Sequence, residues 1–237
     1  MKATVLIPAA GMGRRMGANV NKQYLELRGK PILAHTLALF QQSPQVEHIY
    51  PILPVDEIEY CREHIIEKYG LSKVRQLVAG GAERQDSVRN GLLALQQDGL
   101  DQPERIVLVH DGARPLFDPR LLPELIAAIV EKGACIVGAP VKDTIKDVAD
   151  GLISGTPERK RLWQAQTPQG FRYQLFAEAF CSADAAGFLG TDDASLLERV
   201  GLPVAILQGD YRNIKVTTPE DLVIAAALLD TQGKKSA

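Results

Sequence analysis

Short apolar runs that alternate with helix-length amphipathic segments restrict this chain more than any other feature. Thr4-Val5-Leu6-Ile7 and residues 105–109 lack the in-and-out alternation of a half-solvated strand. Both faces of such strands must be covered, which is the condition of a parallel sheet packed between helices. The intervening segments have the matching pattern. Residues 31–41 place Ile32, Leu33, Thr36, Leu37 and Phe40 on one side, with Pro31 in the first turn. Residues 84–97 turn Val88, Leu92 and Leu95 inward, and residues 119–131 form a helix closed by Gly133. Further strands are expected at 46–53 (weakened by Pro51), 74–78 and 134–141, with a helix from Asp56 to Gly70 between the first two. In the last third, helices are expected at 173–183 and 192–200, and strands at 204–207 and 213–216. Thr218 caps a terminal helix, with Pro219 at its first position and Asp221 at the capping-box position. The βαβα order predicts an α/β fold with a mostly parallel sheet and ligands at the carboxyl ends of its strands.

At 237 residues the chain suits one large domain, and we expect a single domain over 1–237. A net charge of −2 argues against a general nucleic-acid binder but leaves room for a local cationic pocket. The three cysteines, Cys61, Cys135 and Cys181, have no metal-ligand spacing and suggest no disulfide framework. The first apolar run is too short for a secretory signal, and no run is long enough to span a bilayer, so a cytoplasmic location without a membrane partner is expected.

The rhythm breaks at about 142–161. Residues 143–148 alternate like a hairpin strand, Asp150-Gly151 reads as a turn, and Leu152-Ile153-Ser154 is the return strand. Such a ribbon cannot bury a core of its own. It is either a surface hairpin or a protruding β-arm that packs on another surface, a second subunit being the simplest candidate.

Three loops at strand ends carry the chemistry. The first, Pro8-Ala9-Ala10-Gly11-Met12-Gly13-Arg14-Arg15, is followed by Lys22. Small residues let backbone approach a ligand, and clustered cations behind a Gly-rich turn suit a polyphosphate. The spacing is neither a Walker A loop nor G-x-G-x-x-G, because Met16 stands at the third glycine position. The second loop, Gly80 to Ser87 with Arg84, can read a base edge through its backbone and Ser87, or can simply cap the next helix. In the third, Asp111 follows a buried strand and can hold Mg²⁺ on phosphates or bind a ribose hydroxyl; Gly112 adjoins it. Arg114 can bind phosphate or pair with Asp111, and His110 reads as a structural histidine. Further candidates are Thr144, Arg159, Thr167, Thr191 and Lys215. Lys215 points away from its apolar neighbours Ile214 and Val216 and suits a second phosphate, whereas Arg159 lies in a charged run of the kind that usually faces solvent. No nucleophile elbow and no His/Cys zinc cluster is present, so the chemistry implied is positioning and charge neutralisation.

Taken in order, these stretches resemble the 2-C-methyl-D-erythritol 4-phosphate cytidylyltransferase family over nearly the whole chain. The resemblance also rests on Lys22-Gln23-Tyr24, Asp143-Thr144, Gln166-Thr167-Pro168-Gln169, Thr191-Asp192-Asp193-Ala194 and Asn213-Ile214-Lys215-Val216-Thr217. It implies a Rossmann-like nucleotidyltransferase domain that joins CTP to methylerythritol phosphate with Mg²⁺, releasing pyrophosphate. By the family's pattern, Arg15 and Lys22 stabilise transition-state charge. Pro8, Ala9, Ala10, Gly11, Gly13, Gly80, Gly81, Arg84 and Ser87 surround the nucleotide, with Asp111 and Gly112 near the ribose and metal. Arg159, Lys215, Thr144, Thr167, Thr191 and Arg114 serve the acceptor. Gly112 stands where the motif commonly has alanine, and Arg159 is placed by counting back from Trp163 and Thr167-Pro168. The resemblance also implies a homodimer with interlocked β-arms, each bringing an arginine to its neighbour's site. Competing expectations are a ribitol phosphate cytidylyltransferase, another sugar-phosphate nucleotidylyltransferase, or a non-catalytic nucleotide-binding module.

Overall fold

The computed structural model describes residues 1–11 and 22–233. The strands are β1 (Ala3–Pro8), β2 (Glu26–Leu27), β3 (Lys30–Pro31), β4 (Val46–Leu53), β5 (Val78–Ala79), β6 (Ile106–Val109), β7 (Ala134–Pro140), β8 (Asp147–Ala149), β9 (Leu152–Gly155), β10 (Trp163–Arg172) and β11 (Ala205–Gln208). The α-helices are α1 (Ile32–Gln42), α2 (Ile58–Cys61), α3 (Arg84–Gln97), α4 (Leu122–Lys132), α5 (Tyr173–Ala185), α6 (Ala194–Arg199) and α7 (Pro219–Gly233). Seven strands form the main sheet in the order β11-β7-β10-β6-β1-β4-β5. The β1–β4, β1–β6, β4–β5 and β7–β11 pairs are parallel, and only β10 runs against its neighbours, β6 and β7.

Period-two alternation along the apolar runs feeds two cores. Ile7, Ile106 and Leu108 face α1 and α4, where they meet Leu33, Leu37, Phe40, Leu125 and Ile129. Leu6, Val107 and Val109 face the opposite layer with Val88, Leu92, Phe171, Phe176 and Leu197. The expected continuity of the strands is thus the signature of a sheet buried on both sides. A third cluster, Leu27, Ile32, Leu116, Val216 and Ala225, seats α7 beside the β2–β3 hairpin. The capping of α7 is reciprocal: the Thr218 N–H donates to Asp221 at 2.9 Å, and the Asp221 N–H donates to the Thr218 hydroxyl at 3.3 Å. No described helix is long and apolar enough to cross a membrane.

Several sequence expectations need correction. Pro51 does not weaken β4. It pairs with Ile7 in the ladder, and its missing N–H falls on the outer side, between the Ile49–Val74 bridge and the Ile52–Val78 pair. The expected 74–78 strand is reduced to that single bridge and the two residues of β5. The segment after β4 is a 3-10 turn (Val55–Glu57), α2 and a π-helical stretch (Arg62–Glu67); Pro54 precedes the first turn, and Asp56 lies inside it rather than capping it. Residues 213–216 are not a strand; Asn213 and Ile214 make local turn bonds to Asp210 O and Arg212 O, and the Val216 N–H donates to the Ala113 carbonyl of the third loop. Strand β10 was not expected at all. Its polar half, Gln166, Thr167 and Gln169, is buried, and the Thr167–Pro168 peptide is cis.

The hairpin forms as a separate two-stranded sheet, β8 with β9, turning through Asp150 at φ 50° and Gly151 at φ 77°. Both central residues have positive φ, as in the tight turns that suit hairpin twist. Val148, Leu152 and Ile153 on this arm are 60%, 74% and 66% exposed, so the arm lacks a core in the single chain.

Candidate active site at the carboxyl edge of the sheet

The hydrogen-bond ladder continues past the strand ends and ties the three loops into one floor. The Ala9 N–H donates to Ile52 O, the Gly80 N–H to Leu53 O, and the Gly112 N–H to Pro8 O, at 2.7–3.1 Å. Thr36, fully buried on α1, donates to Gly112 O at 2.9 Å. Above this floor lies a cavity of about 220 Å³ bordered by Pro8 to Gly11, Gly81 to Arg84, Ser87, Asp111 to Ala113, Gln23 and Lys215. The close fit depends on absent side chains. A Cβ on Gly80 would lie 2.6 Å from the Ala10 Cβ, and one on Gly81 would lie 2.3 Å from the Asp86 Cβ.

The second loop caps the helix that follows it and also forms part of the cavity wall. Asp86 accepts from the Glu83 N–H at 3.1 Å, which caps α3. Ser87, 2% exposed, accepts from the Gly81 N–H at 3.0 Å and donates to Glu83 O, so its hydroxyl shapes the cavity wall.

Asp111 is the electrostatic centre. It is 6% exposed and faces three cations: Arg84 at 3.4 Å, Arg114 at 3.2 Å and Lys215 at 3.1 Å. Burial works against its charge, but Lys215, Arg84 and Arg114 together hold its carboxyl well below the usual carboxylate range. Arg84 also forks onto buried Asp193 at 2.6 and 3.0 Å. Burial opposes the Arg84 charge, yet Asp193 and Asp111 leave the guanidinium more firmly protonated than usual. Three cations thus meet two carboxylates, leaving one positive charge in this group and a field that favours an anionic ligand.

The structure distributes the sequence candidates unevenly. Pro8, Ala9, Ala10, Gly11, Gly81, Arg84, Ser87, Asp111, Gly112 and Lys215 border the cavity, and Gly80 packs behind it. Arg114 brackets the site instead, joining Asp111 to Asn213 O at 2.7 Å. Thr167 lies behind Asp111, accepting from its backbone N–H at 3.1 Å and meeting the His110 ring at 3.0 Å. His110 is fully buried, and burial pushes its imidazole down to about 4, so it is neutral near pH 7. Thr191 borders a smaller cavity of about 70 Å³ that shares Glu83 and Arg84 with the first. Thr144 and Arg159 are exposed near the arm, outside both cavities, and Arg159 donates to Lys142 O at 2.9 Å. Gly13 and Arg15 lie outside the described residues, as does the side chain of Lys22.

Sequence reasoning missed Asp193, Gln169 and Gln23 as individual site residues. Gln169 accepts from the N–H groups of Asp193 and Ala194 at 3.1 and 3.0 Å and donates to Asp192 at 2.8 Å, so it aims Asp193 at Arg84. The one available signal was the acidic pair Asp192-Asp193 just before an apolar helical segment, which marks a helix start but not a partner.

The chain is similar over nearly its whole length to proteins of one family. The family model for 2-C-methyl-D-erythritol 4-phosphate cytidylyltransferase (IspD) matches residues 3–231. The chain is 59% identical over 233 residues to the enzyme of that name from Syntrophotalea carbinolica, covering 98% of each chain. It is 55% identical over 229 residues to that from Geotalea uraniireducens, covering 97% of each. Among solved structures, it is similar to the 4-diphosphocytidyl-2C-methyl-D-erythritol synthase of Anaerococcus prevotii, with a TM-score of 0.83 and 32% identity over 97% of this chain and 96% of that one.

Proposed function

Because the chain belongs to the 2-C-methyl-D-erythritol 4-phosphate cytidylyltransferase family, we propose that the cavity over β1, β5 and β6 is where its CTP binds and reacts. The chain is a CTP-dependent nucleotidyltransferase that transfers a cytidylyl group to 2-C-methyl-D-erythritol 4-phosphate in non-mevalonate isoprenoid biosynthesis. The observation that carries the site is the convergence of three small-residue loops on one cavity whose charged rim holds Arg84 and Lys215.

In this reading a phosphate oxygen of the acceptor attacks the α-phosphorus of CTP. The bond from that phosphorus to the bridging oxygen breaks, and pyrophosphate leaves with the electron pair. The backbone of Ala9, Ala10 and Gly81, braced by Ser87, recognises the cytosine. Lys22 and Arg15 neutralise charge growing on the phosphates; the backbone turn Lys22–Tyr24 adjoins the cavity through Gln23, which supports this role for Lys22. Lys215 receives the acceptor phosphate, with Thr191 beside Arg84 on the same side. Thr167 and Arg114 act from behind by fixing Asp111.

The family also implies Mg²⁺. Among the described residues no group of three acidic, histidine or cysteine side chains can cage a metal. A single ionised carboxylate is enough for an ion that takes its other ligands from triphosphate and water. The Asp111 contacts of 3.1–3.4 Å are long for charged hydrogen bonds and leave its oxygens acceptor capacity, so the residue fits. Asp111 would hold the ion, which when bound would draw charge from the phosphates. The exposed apolar residues of the arm support a homodimer, in which Arg159 of one subunit serves the acceptor site of the other.

The test is pyrophosphate release from CTP, Mg²⁺ and methylerythritol phosphate. Lys22→Ala should lower kcat by ~10²-fold or more with CTP affinity little changed, as expected for a contact made only in the transition state. Unchanged turnover refutes the role of Lys22. Arg159→Ala should impair use of the acceptor rather than CTP, and a defect confined to CTP affinity refutes the arm assignment.

A further inference from the structure

We propose that Glu57 is a positioning residue for the transfer reaction, setting through Gln23 the turn that presents Lys22 to the nucleotide cavity. The inference rests on the reading of Lys22 given above. Glu57 ends the 3-10 turn that follows β4, at the ligand edge of the sheet, and is 9% exposed. Its Oε2 accepts from the Gln23 Nε2 at 2.7 Å. Gln23 is 2% exposed, borders the cavity and is the next residue after Lys22. The Gln23 Oε1 has no partner among the described residues, so Glu57 is the one polar tether of that amide there.

A second contact from the same segment fixes the far end of the turn. Tyr60 on α2 meets the Tyr24 ring edge-on at 4.9 Å, and Tyr24 is 8% exposed. Residues 57 and 60 therefore grip residues 23 and 24, the two that directly follow Lys22 in the turn Lys22–Tyr24. Stability does not account for the carboxylate. Among the described residues no cation pairs with Glu57, and burial pushes its carboxyl up. A buried acid without a cation costs stability that an apolar side chain at the same place would not. What the carboxylate supplies is a directional acceptor for Gln23, and small displacements of a catalytic cation are costly.

The experiment is a set of kinetic cycles on the full chain. Glu57→Ala should lower kcat by roughly tenfold or more while the CTP KM stays within about threefold, the split expected when only transition-state geometry is lost. Gln23→Ala severs the same tether from the other side and should give the same split, which keeps the test valid if Glu57→Ala fails to fold. Glu57→Gln retains an acceptor oxygen and should keep kcat within about threefold of the parent. In a Lys22→Ala background, Glu57→Ala should lower kcat no further, because the two residues act as one unit. An unchanged kcat in Glu57→Ala, a Glu57→Gln as impaired as Glu57→Ala, or an equal fold-loss in both backgrounds overturns the proposal. If Lys22→Ala by itself leaves kcat intact, the reading of Lys22 fails first, and the proposal falls with it.

Discussion

Replacing Arg84 by alanine should destabilise the protein far more than an ordinary cavity-rim substitution. The cause is Asp193, which is 2% exposed and receives both arms of the Arg84 fork, at 2.6 and 3.0 Å. Removing the guanidinium leaves Asp193 without a cation, whereas Asp111 keeps Arg114 and Lys215. Stranding a buried charge in this way typically costs ~3–5 kcal/mol. The Arg84 side chain is 32% exposed, so water can enter beside Asp193, and we take the lower end, about 3 kcal/mol. For a chain of this size that corresponds to a drop in Tm of roughly 6–12 °C. Asp193→Asn removes the stranded charge, so the Arg84→Ala/Asp193→Asn pair should recover most of the loss. The deficit should also depend on pH. Burial, aided by Asp111 and Asp192, already holds the Asp193 carboxyl above its ordinary value against the pull of Arg84, and without Arg84 it rises further above its unfolded value of about 3.9. The folded variant then binds a proton more readily than the unfolded chain, and it regains stability as pH falls from neutrality through that raised value. Chemical denaturation of parent, single and double variants at pH 7 and pH 5 measures each quantity. A deficit below about 1 kcal/mol that is the same at both pH values would refute the stranded-charge account.

Three further expectations follow from single contacts. Ser87→Ala removes the acceptor for the Gly81 N–H, worth about 1 kcal/mol net, so the CTP KM should rise roughly fivefold with kcat nearly constant; an unchanged KM rejects Ser87 as a brace of the nucleotide wall. Leu152→Glu places a charge on an arm residue that is 74% exposed in the single chain; if the proposed homodimer forms through the arm, sedimentation should show the parent as a dimer and the variant as a monomer, with little change in subunit secondary structure. A dimer of undiminished affinity would remove the arm from the interface. His110 is held at about 4 against an ordinary value of 6.5, so the unfolded chain binds its proton first as pH falls. Stability should be lost between those values, and His110→Gln should flatten the profile there; parallel profiles for parent and variant would contradict a buried neutral imidazole.

The parts of the fold legible in the sequence are those governed by apolar periodicity. β1, α1, α3 and β6 bury side chains at regular spacing, and their observed limits lie within a residue or so of the expected ones. Segments fixed by tertiary contact were not legible. Lys215 illustrates the difference. Its expected strand does not form, yet Ile214 and Val216 still pack with the third cluster while Lys215 turns to Asp111 at 3.1 Å. The alternation reported which way the side chains point, and it could not report whether a neighbouring strand exists to pair with.

β10 shows why the supports of the site, Thr167 apart, escaped notice. The strand runs antiparallel between β6 and β7, and Gln169 lies level with Val109, the last residue of β6. Its polar residues therefore sit at the edge where the ligand loops begin. Thr167 takes the Asp111 N–H, Gln169 takes the N–H groups of Asp193 and Ala194, and Gln166 donates to Asp210 O at 3.0 Å and accepts from Asn213 at 3.2 Å. One strand thus holds three segments that carry charge into the cavity. Each of these side chains is buried, and a buried polar group persists only when bonded, so the partners had to be specified together with the strand. In the sequence the same residues form a polar stretch that contains a proline, with no apolar alternation to mark a strand. Residues that meet a ligand announce themselves at strand ends by unusual types, glycines and cations. The residues that aim them are ordinary amides and hydroxyls, whose importance lies in a partner tens of residues away and becomes visible only when the sheet brings the two together.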